Sequence, residues 1–490
     1  MAKEYFPLSF NSEGFPINLG EQRELLAAIV DDAHPVTDLW ILAHGWNNDI
    51  NQGQATYLGW IQRMREVARQ KVHDPSYHSL FAGVHWPSKA WAGDVAQMVA
   101  AGGAAIPTGG GEGEFELRRP GTPADELPAV QVPESALAPS PKVAVDPVQR
   151  TAFIAQYQPI MDPEGVYGLD YVRDFGRLYD LMFQAGPPPQ HEVEEFLRLL
   201  KKYKTTDPHN DNIETVNVLS APISELAQRL TAELSAAPQE YERLGIFDRL
   251  LDVFRTFTFW QMKGRAAIVG ETGIYPFLVG LRQELKKRNH SVRIHLMGHS
   301  FGAKLVSAAV FPAAGASDLE HPLVDTLVLL LGAFSQFSFS NNIPVARGAV
   351  GRYSAILQQK LVKNPIVTIY SQHDTANRVF YAAGMRLASP FSEAIYELAG
   401  AAETAEAYKI SRDRYGSIGA NGAQGLVDQS FRAIDIQPLN KNYNWGNLAG
   451  VTCINIDGAS VINNGTFPTG AHSDIEHPEI FHLALSISLR

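Results

Sequence analysis

The sequence VRIHLMGHSFGAKLVSAAVF, residues 292–311, decides the fold. Residues 292–297 are mostly apolar and predict a buried strand, whereas residues 303–311 are compatible with a helix. Between them, Gly298-His299-Ser300-Phe301-Gly302 matches the pattern Gly-x-Ser-x-Gly, in which a serine occupies a sharp turn between a strand and a helix. The pattern therefore predicts that Ser300 lies at the carboxyl edge of a sheet.

Ser300 is the candidate nucleophile. A serine hydroxyl is a weak nucleophile until an adjacent base takes its proton, and a turn at a helix N-terminus exposes the hydroxyl to such a base. Gly298 and Gly302 flank the turn because a side chain at either position would collide with the neighbouring strand or helix. A structural serine in a turn of small residues is the alternative interpretation.

Short apolar segments alternate with longer amphipathic segments on both sides of this turn. Residues 52–71 and 274–285 show helical spacing, and helices between buried apolar strands are typical of an α/β fold with a mostly parallel sheet. The predicted strands are residues 36–43, 80–86, 292–297, 326–331, 366–370 and 451–456.

The middle of the chain interrupts this alternation. Residues 101–150 hold 8 of the 30 prolines, and they contain too few large apolar residues to offset the entropy of ordering them. A helical pattern follows, and its aromatic-rich residues 246–268 either line a substrate channel or pack against the sheet. We therefore divide the chain into an N-terminal core part (1–94), a flexible linker (95–148), an inserted helical cap (149–265) and a C-terminal core part (266–490).

Composition and charge limit the class of function. The chain of 490 residues is 45% apolar and 19% charged, as expected for a globular protein, and its net charge of -11 disfavours nucleic-acid binding. The single cysteine, Cys453, lies in an apolar stretch and is predicted to be buried. We see no signal-peptide pattern and no apolar run long enough for a transmembrane segment, so we expect a cytoplasmic protein, with signal-independent export left open.

The Ser300 turn in this context resembles the α/β-hydrolase family, whose core would be formed by residues 36–94 and 266–490. A closer resemblance, from about residue 259 onward, is to a group of poorly characterised bacterial α/β-hydrolases of esterase or lipase type. The resemblance implies a triad in the chain order nucleophile, acid, histidine, and it implies no particular substrate. It is carried by WQMKGRA (260–266), GHSFGA (298–303), YG (415–416), NGAQ (421–424) and AHSDI (471–475), whereas Gln372-His373 departs from the group's pattern.

Asp374 is the candidate acid. It follows the predicted strand 366–370, in a loop where a carboxylate would orient an imidazole and stabilise its charge. The other usual position for the triad acid is the loop after the preceding strand, residues 332–340, and that loop contains no Asp or Glu. A solvated turn aspartate is the other interpretation of Asp374.

His472 is the candidate general base among the three histidines that follow the acid. It comes after a strand and a Gly-rich loop, and immediately before a predicted capping box formed by Ser473 and Glu476. His477 precedes a proline, and His482 falls within a terminal apolar helix where a structural imidazole is the simpler interpretation.

An oxyanion hole needs two backbone N–H donors. Phe301, directly after the nucleophile, is one candidate. The second candidate comes from residues 43–48, Ala-His-Gly-Trp-Asn-Asn, which resemble the His-Gly-x oxyanion loop of lipases and esterases. That resemblance implies that Trp46 supplies the second N–H, that Gly45 permits the turn and that His44 supports the loop. An ordinary strand-to-helix turn is the alternative.

These residues predict a serine hydrolase that cleaves a carboxylic ester, of a small molecule or a lipid, through an acyl-enzyme on Ser300. We expect no cofactor and no metal, because the spacing of His472, Asp474, His477 and His482 matches no strong zinc motif. Two alternatives stay open: a non-catalytic binding module whose cap blocks the triad, and a lipase-type toxin. Acyl-chain length and oligomeric state do not follow from the sequence.

Overall fold

The structure of the protein is a computed structural model. It describes residues 3, 5–31, 33–46, 48–88, 147–162, 165–182, 188–203, 222–235, 258–311, 322–344, 349–381, 416–426, 431–446, 448–465 and 470–490. The predicted linker, residues 95–148, lies outside this description except for Pro147 and Val148, which begin a helix. Residues 236–257 of the predicted cap also lie outside it.

In the described part of the chain, eight strands alternate with helices. The strands are β1 (Phe6–Ser9), β2 (Asp38–Ala43), β3 (Ser79–His85), β4 (Arg293–His299), β5 (Thr326–Leu330), β6 (Ile366–Tyr370), β7 (Phe431–Asp435) and β8 (Cys453–Asp457). The α-helices are α1 (Leu19–Ile29), α2 (Ile50–Lys71), α3 (Pro147–Met161), α4 (Leu169–Met182), α5 (Gln190–Lys202), α6 (Ile223–Ser235), α7 (258–268), α8 (Tyr275–Lys287), α9 (Phe301–Ala308), α10 (Ser354–Gln358), α11 (Ile418–Asn421) and α12 (Pro478–Ser488). Further helical segments are the π-helices Val269–Ile274 and Ala376–Tyr381 and the 3-10 turn Gly470–Ser473.

The described strands form one sheet in the order β1-β3-β2-β4-β5-β6-β8-β7, in which every neighbouring pair is parallel. The predicted α/β class with a mostly parallel sheet is therefore confirmed. Sequence analysis missed the two edge strands. β1 has only four residues, and β7 carries exposed and half-buried side chains, so neither shows the apolar run that marks a buried strand.

Helices cover both faces of the sheet, as β2 illustrates. Leu39 and Ile41 point into one apolar layer, and Trp40 and Leu42 point into the other, because side chains alternate along a strand. α2 and α12 pack against each other in the Trp40 layer, whereas α7, α8 and α9 supply the Leu39 layer. Cys453 of β8 is buried, as predicted.

The helices α3–α6 fall within the predicted cap, and their apolar side chains join the Leu39 layer. The Gln261 amide of α7 donates to the Tyr203 carbonyl that follows α5, and the Arg265 guanidinium donates to the Pro87 carbonyl after β3 at 2.9 Å. These bonds connect the inserted helices to α7, and α7 to the sheet. No helix within the described ranges combines the length and the apolar character needed to cross a membrane.

A buried carboxylate ties the amino end of β2 to β4. Asp38 is fully buried; its Oδ1 accepts hydrogen bonds from Arg293 Nε at 2.7 Å and from His295 Nε2 at 2.9 Å. Burial alone would raise the pKa of Asp38, but the hydrogen bonds from His295, Arg293 and Thr37 outweigh it and lower the pKa to about 2. The folded state therefore binds this proton more weakly than the unfolded chain, and the ionised carboxylate stabilises the fold above about pH 4.

We expect Asp38→Asn to lower the free energy of unfolding by about 3 kcal/mol at neutral pH, because the fully buried His295 and the half-buried Arg293 lose the carboxylate that accepts their hydrogen bonds. Since the pKa of Asp38 is lowered in the folded state, the wild type loses this stabilisation as the pH falls from about 4 to about 2. The difference in free energy of unfolding between the wild type and Asp38→Asn therefore becomes smaller over this pH range. Urea unfolding followed by circular dichroism, at neutral and at acid pH, measures both effects.

Glu66→Gln is the matched control, because Glu66 of α2 pairs with Arg63 at the surface and the change should leave the urea midpoint unaltered. An Asp38→Asn variant that is as stable as the wild type at neutral pH would contradict the role of this carboxylate.

Candidate active site

Ser300 occupies the turn between β4 and α9. Its backbone has φ 57° and ψ -122°, a conformation that costs energy for any residue with a Cβ. Close packing imposes the turn: a Cβ on Gly298 would run into the backbone of Gly302, and a Cβ on Gly302 into the carbonyl of Ala43 at the end of β2. The Ser300 N–H still donates to Leu330 O at 3.0 Å, so the serine remains part of the sheet edge.

Three side chains from separate parts of the chain meet at this edge. Ser300 Oγ lies 2.9 Å from His472 Nε2, and His472 Nδ1 lies 2.8 Å from Asp374 Oδ2. Because a carboxylate only accepts, Nδ1 carries the imidazole proton and Nε2 is the nitrogen that accepts from the serine hydroxyl. Ser300 and Asp374 are buried, whereas 15% of the His472 side chain is exposed. The structure thus brings together the three residues that the sequence singled out.

Asn377, in the second π-helical segment, holds the Asp374 carboxylate. Oδ1 accepts from the Asn377 backbone N–H at 2.9 Å, and Oδ2 accepts from the Asn377 side-chain amide at 2.6 Å as well as from His472. The same amide donates to Leu331 O, after β5, at 2.9 Å. The carboxylate cannot turn away from His472 without breaking these bonds.

The 3-10 turn Gly470–Ser473 that carries His472 is attached on two sides. The Ala471 N–H donates to the carbonyl of His373, in the loop of the acid, at 3.0 Å. On the other side, His299 Nε2 lies 2.8 Å from the carbonyl oxygen of His472. The His472 turn is therefore bonded both to the Asp374 loop and to β4, the strand that precedes Ser300.

The two other histidines near the C-terminal helix make different contacts. His477 Nε2 bonds to Asp474 Oδ1 at 2.7 Å, and the ring of His482, in α12, lies 5.2 Å from that of Tyr443. Within the described residues, neither bonds to Ser300. The geometry therefore singles out His472 from the three.

The predicted capping box at Ser473 and Glu476 is wrong. α12 begins at Pro478, and its N-cap residue, His477, makes no side-chain capping bond. A helix that began at Ser473 would carry Pro478 in its interior, where proline removes a backbone donor and clashes with the preceding turn. Proline instead fits the first position of the helix.

The loop after β2 lies against the Ser300 turn. A Cβ built on Gly45 would lie 2.8 Å from Ser300 Cβ, so only glycine lets the backbone approach this closely. The Gly45 carbonyl accepts a hydrogen bond from His44 Nδ1–H at 2.9 Å. The N–H of the peptide that joins Gly45 to Trp46 belongs to Trp46, and in a trans peptide this N–H points in the direction opposite to the carbonyl. The Trp46 ring lies 5.8 Å from the Phe301 ring. Phe301 is the first residue of α9, so its backbone N–H has no acceptor within the helix. The loop that carries Trp46 and the first residue of α9 thus both lie beside Ser300.

Tyr57 of α2 supports this loop from behind. Its hydroxyl accepts from the His44 N–H at 2.9 Å and donates to Val84 O at 2.6 Å. The His44 ring stacks on Trp86, with centroids 5.9 Å apart, and packs over Gly53. Burial lowers the pKa of His44 to about 4, so its ring is neutral at neutral pH. His44 therefore supports the loop through hydrogen bonds rather than through charge.

Sequence analysis missed three supporting residues: His299, Asn377 and Tyr57. Asn377 has a local signal, because an aspartate side chain often accepts a backbone N–H a few residues away. Tyr57 has none, since its contact depends on how α2 packs against the sheet. Among the residues that the structure describes, no group of three His, Cys, Asp or Glu side chains is arranged to hold a metal ion.

We expect Ser300→Gly to be more stable than Ser300→Ala by about 1 kcal/mol, because glycine relieves the strain of the positive φ by more than the entropy it loses on folding. Both variants remove the hydroxyl, so their difference isolates the backbone. Ser307, buried in the last turn of α9, provides the control: there the glycine variant should be less stable than the alanine variant. Equal or reversed stabilities at position 300 would show that the turn stores no strain.

No protein-family model, curated protein or solved structure matches the chain. The geometry around Ser300 consists of a serine, an imidazole and a buried carboxylate in one hydrogen-bonded line.

Proposed function

We propose that the chain is a serine hydrolase with an α/β-hydrolase fold, and that it cleaves a carboxylic ester through an acyl-enzyme on Ser300. The observation that carries the proposal is the continuous hydrogen-bond line from Ser300 through His472 to Asp374, with distances of 2.9 and 2.8 Å. A serine within reach of a base that is itself oriented by a buried carboxylate is the arrangement that activates the hydroxyl.

The topology supports the proposed fold family. The serine follows β4, the aspartate follows β6 and the histidine follows β8, so the three come in the chain order of α/β-hydrolases and from the carboxyl ends of strands in one parallel sheet. The positive φ of Ser300 between two glycines also agrees with the strained strand-to-helix turn of that family.

In the first half-reaction, His472 Nε2 accepts the hydroxyl proton while Ser300 Oγ bonds to the ester carbonyl carbon. The carbonyl π electrons move onto oxygen, and the N–H groups of Phe301 and Trp46 stabilise the resulting oxyanion. Asp374 holds the imidazolium in place and stabilises its charge. When the intermediate collapses, the bond to the alkoxide breaks, His472 returns the proton to it, and the alcohol leaves an acyl group on Ser300.

In the second half-reaction, water takes the place of the alcohol. His472, part of whose side chain is exposed, removes a proton from the water as its oxygen attacks the acyl carbon. The new oxyanion uses the same two N–H donors. Its collapse breaks the bond to Ser300 Oγ, which recovers the proton from His472, and the carboxylic acid is released.

Aromatic rings beside the N–H donors favour an apolar acyl or alkyl group. The Phe259 ring of α7 lies 5.1 Å from that of Phe301 and 6.0 Å from that of Trp46. Gln261 bonds α7 to the inserted helices, so we infer that α3–α6 act as a cap over the site. We also infer that the aromatic side chains of α7 line the substrate-binding site. This assigns Phe259 of the aromatic-rich segment to substrate binding as well as to packing.

Labelling with a fluorophosphonate tests the proposal most directly. The wild type should form a covalent adduct on Ser300, located by mass spectrometry of the peptide, and Ser300→Ala should form none, because the probe needs an activated hydroxyl. Ser307→Ala, seven residues along on α9, is the matched control and should label like the wild type. Folded wild-type protein without an adduct would favour the binding module.

The role of the acid is tested by Asp374→Asn. We expect kcat for p-nitrophenyl acetate to fall by about 1,000- to 10,000-fold with little change in KM, because an amide no longer holds the His472 proton on Nδ1. Asp435→Asn, at the exposed end of β7, should keep wild-type kinetics in the same assay. An Asp374→Asn variant that kept more than about a tenth of kcat would require a different acid.

A further inference from the structure

The residue before the nucleophile, His299, contacts both loops that complete the site. Its Nε2 lies 2.8 Å from the carbonyl oxygen of His472, and the two imidazole centroids are 4.8 Å apart. On its other side, Nδ1 lies 3.2 Å from the position that a Cβ on Gly45 would occupy. The buried ring of His299 is therefore wedged between the loop of the base and the loop after β2.

The contact with His472 determines where the His299 proton lies. A carbonyl oxygen only accepts, so Nε2 carries the proton and donates it in the hydrogen bond. Burial, together with the neighbouring His472, holds the pKa of His299 well below its usual range, and the ring is neutral at neutral pH. Neutrality suits this position, because His472 becomes an imidazolium during the reaction and a second positive ring beside it would oppose that charge.

We propose that His299 is a positioning residue: from the nucleophile's own strand, it holds the His472 loop and the Gly45 loop at fixed distances from Ser300. This inference rests on the proposed hydrolase function. The turn that carries His472 is also attached through the Ala471 N–H and through the bond of His472 to Asp374, but both of these lead to the Asp374 loop, whereas the His299 bond leads to β4. A displacement of about 1 Å between reacting groups can slow a reaction about 100-fold.

Two substitutions separate the hydrogen bond from the packing. His299→Gln keeps an N–H donor close to the position of Nε2, whereas His299→Leu fills the space without a donor. We expect His299→Gln to react with the fluorophosphonate within about threefold of the wild-type rate, and His299→Leu to react about 10- to 100-fold more slowly, with KM for p-nitrophenyl acetate unchanged. If His299→Leu does not fold, as judged by circular dichroism, His299→Asn replaces it, because its shorter amide does not reach the carbonyl.

The pH profile of labelling distinguishes positioning from proton transfer. A positioning residue leaves the midpoint of the profile unchanged in His299→Gln, because the same base takes the serine proton. A shifted or flattened profile would mean that His299 itself takes part in proton transfer, and the proposal would be wrong. It would also be wrong if His299→Leu reacted at the wild-type rate, or if His299→Gln reacted as slowly as His299→Leu.

Crystal structures of the two variants separate this inference from the hydrolase proposal. If the wild type never labels, the hydrolase proposal fails, but the positioning role still predicts that His472 Nε2 moves out of hydrogen-bond distance of Ser300 Oγ in His299→Leu and stays within it in His299→Gln. An unmoved His472 in His299→Leu overturns the inference, whatever the labelling experiment shows.

Discussion

The parallel register of β2 with β4 is the constraint on which the rest of the site depends. At the amino end, Asp38 of β2 bonds to Arg293 and His295 of β4. At the carboxyl end, the backbone of Gly302 packs against the carbonyl of Ala43, where no side chain fits. Because the pair is held at both ends, the loop after β2 and the turn after β4 meet in one arrangement. The chemistry at the edge of the sheet takes its geometry from this pairing.

The central sheet and the turn at Ser300 could be predicted because their signals are local. Helices cover both faces, so strands such as β2 and β5 are continuous apolar runs that the sequence displays directly. The glycines around Ser300 follow from steric contacts within one turn. Asp374 and His472 could be found because the resemblance to α/β-hydrolases implies a chain order for the triad, and few acids and histidines follow the predicted strands. The edge strand β7 could not, because its side chains are largely exposed and its position depends on pairing with β8.

Apart from the contact of Asn377 with Asp374, the supporting contacts could not be predicted, because they join segments that are distant in sequence. The hydroxyl of Tyr57 links His44 to Val84 across two strands, and His299 reaches a carbonyl 173 residues away. The wrong capping box has the same origin: Ser473 and Glu476 satisfy a local rule, but Pro478 starts the helix later. In these places tertiary packing decides the structure, and a local pattern is an insufficient guide.

The inserted helices leave the sheet after β3, and the chain returns at β4, on the opposite side of β2. The pairing of β2 with β4 therefore does not require any particular length of chain in between. The entropy of closing a loop rises only with the logarithm of its length, by about 0.6 kcal/mol for each doubling, even for a connection of about 200 residues. This segment can therefore lengthen or shorten at little thermodynamic cost without disturbing the strand pairing that sets the geometry around Ser300.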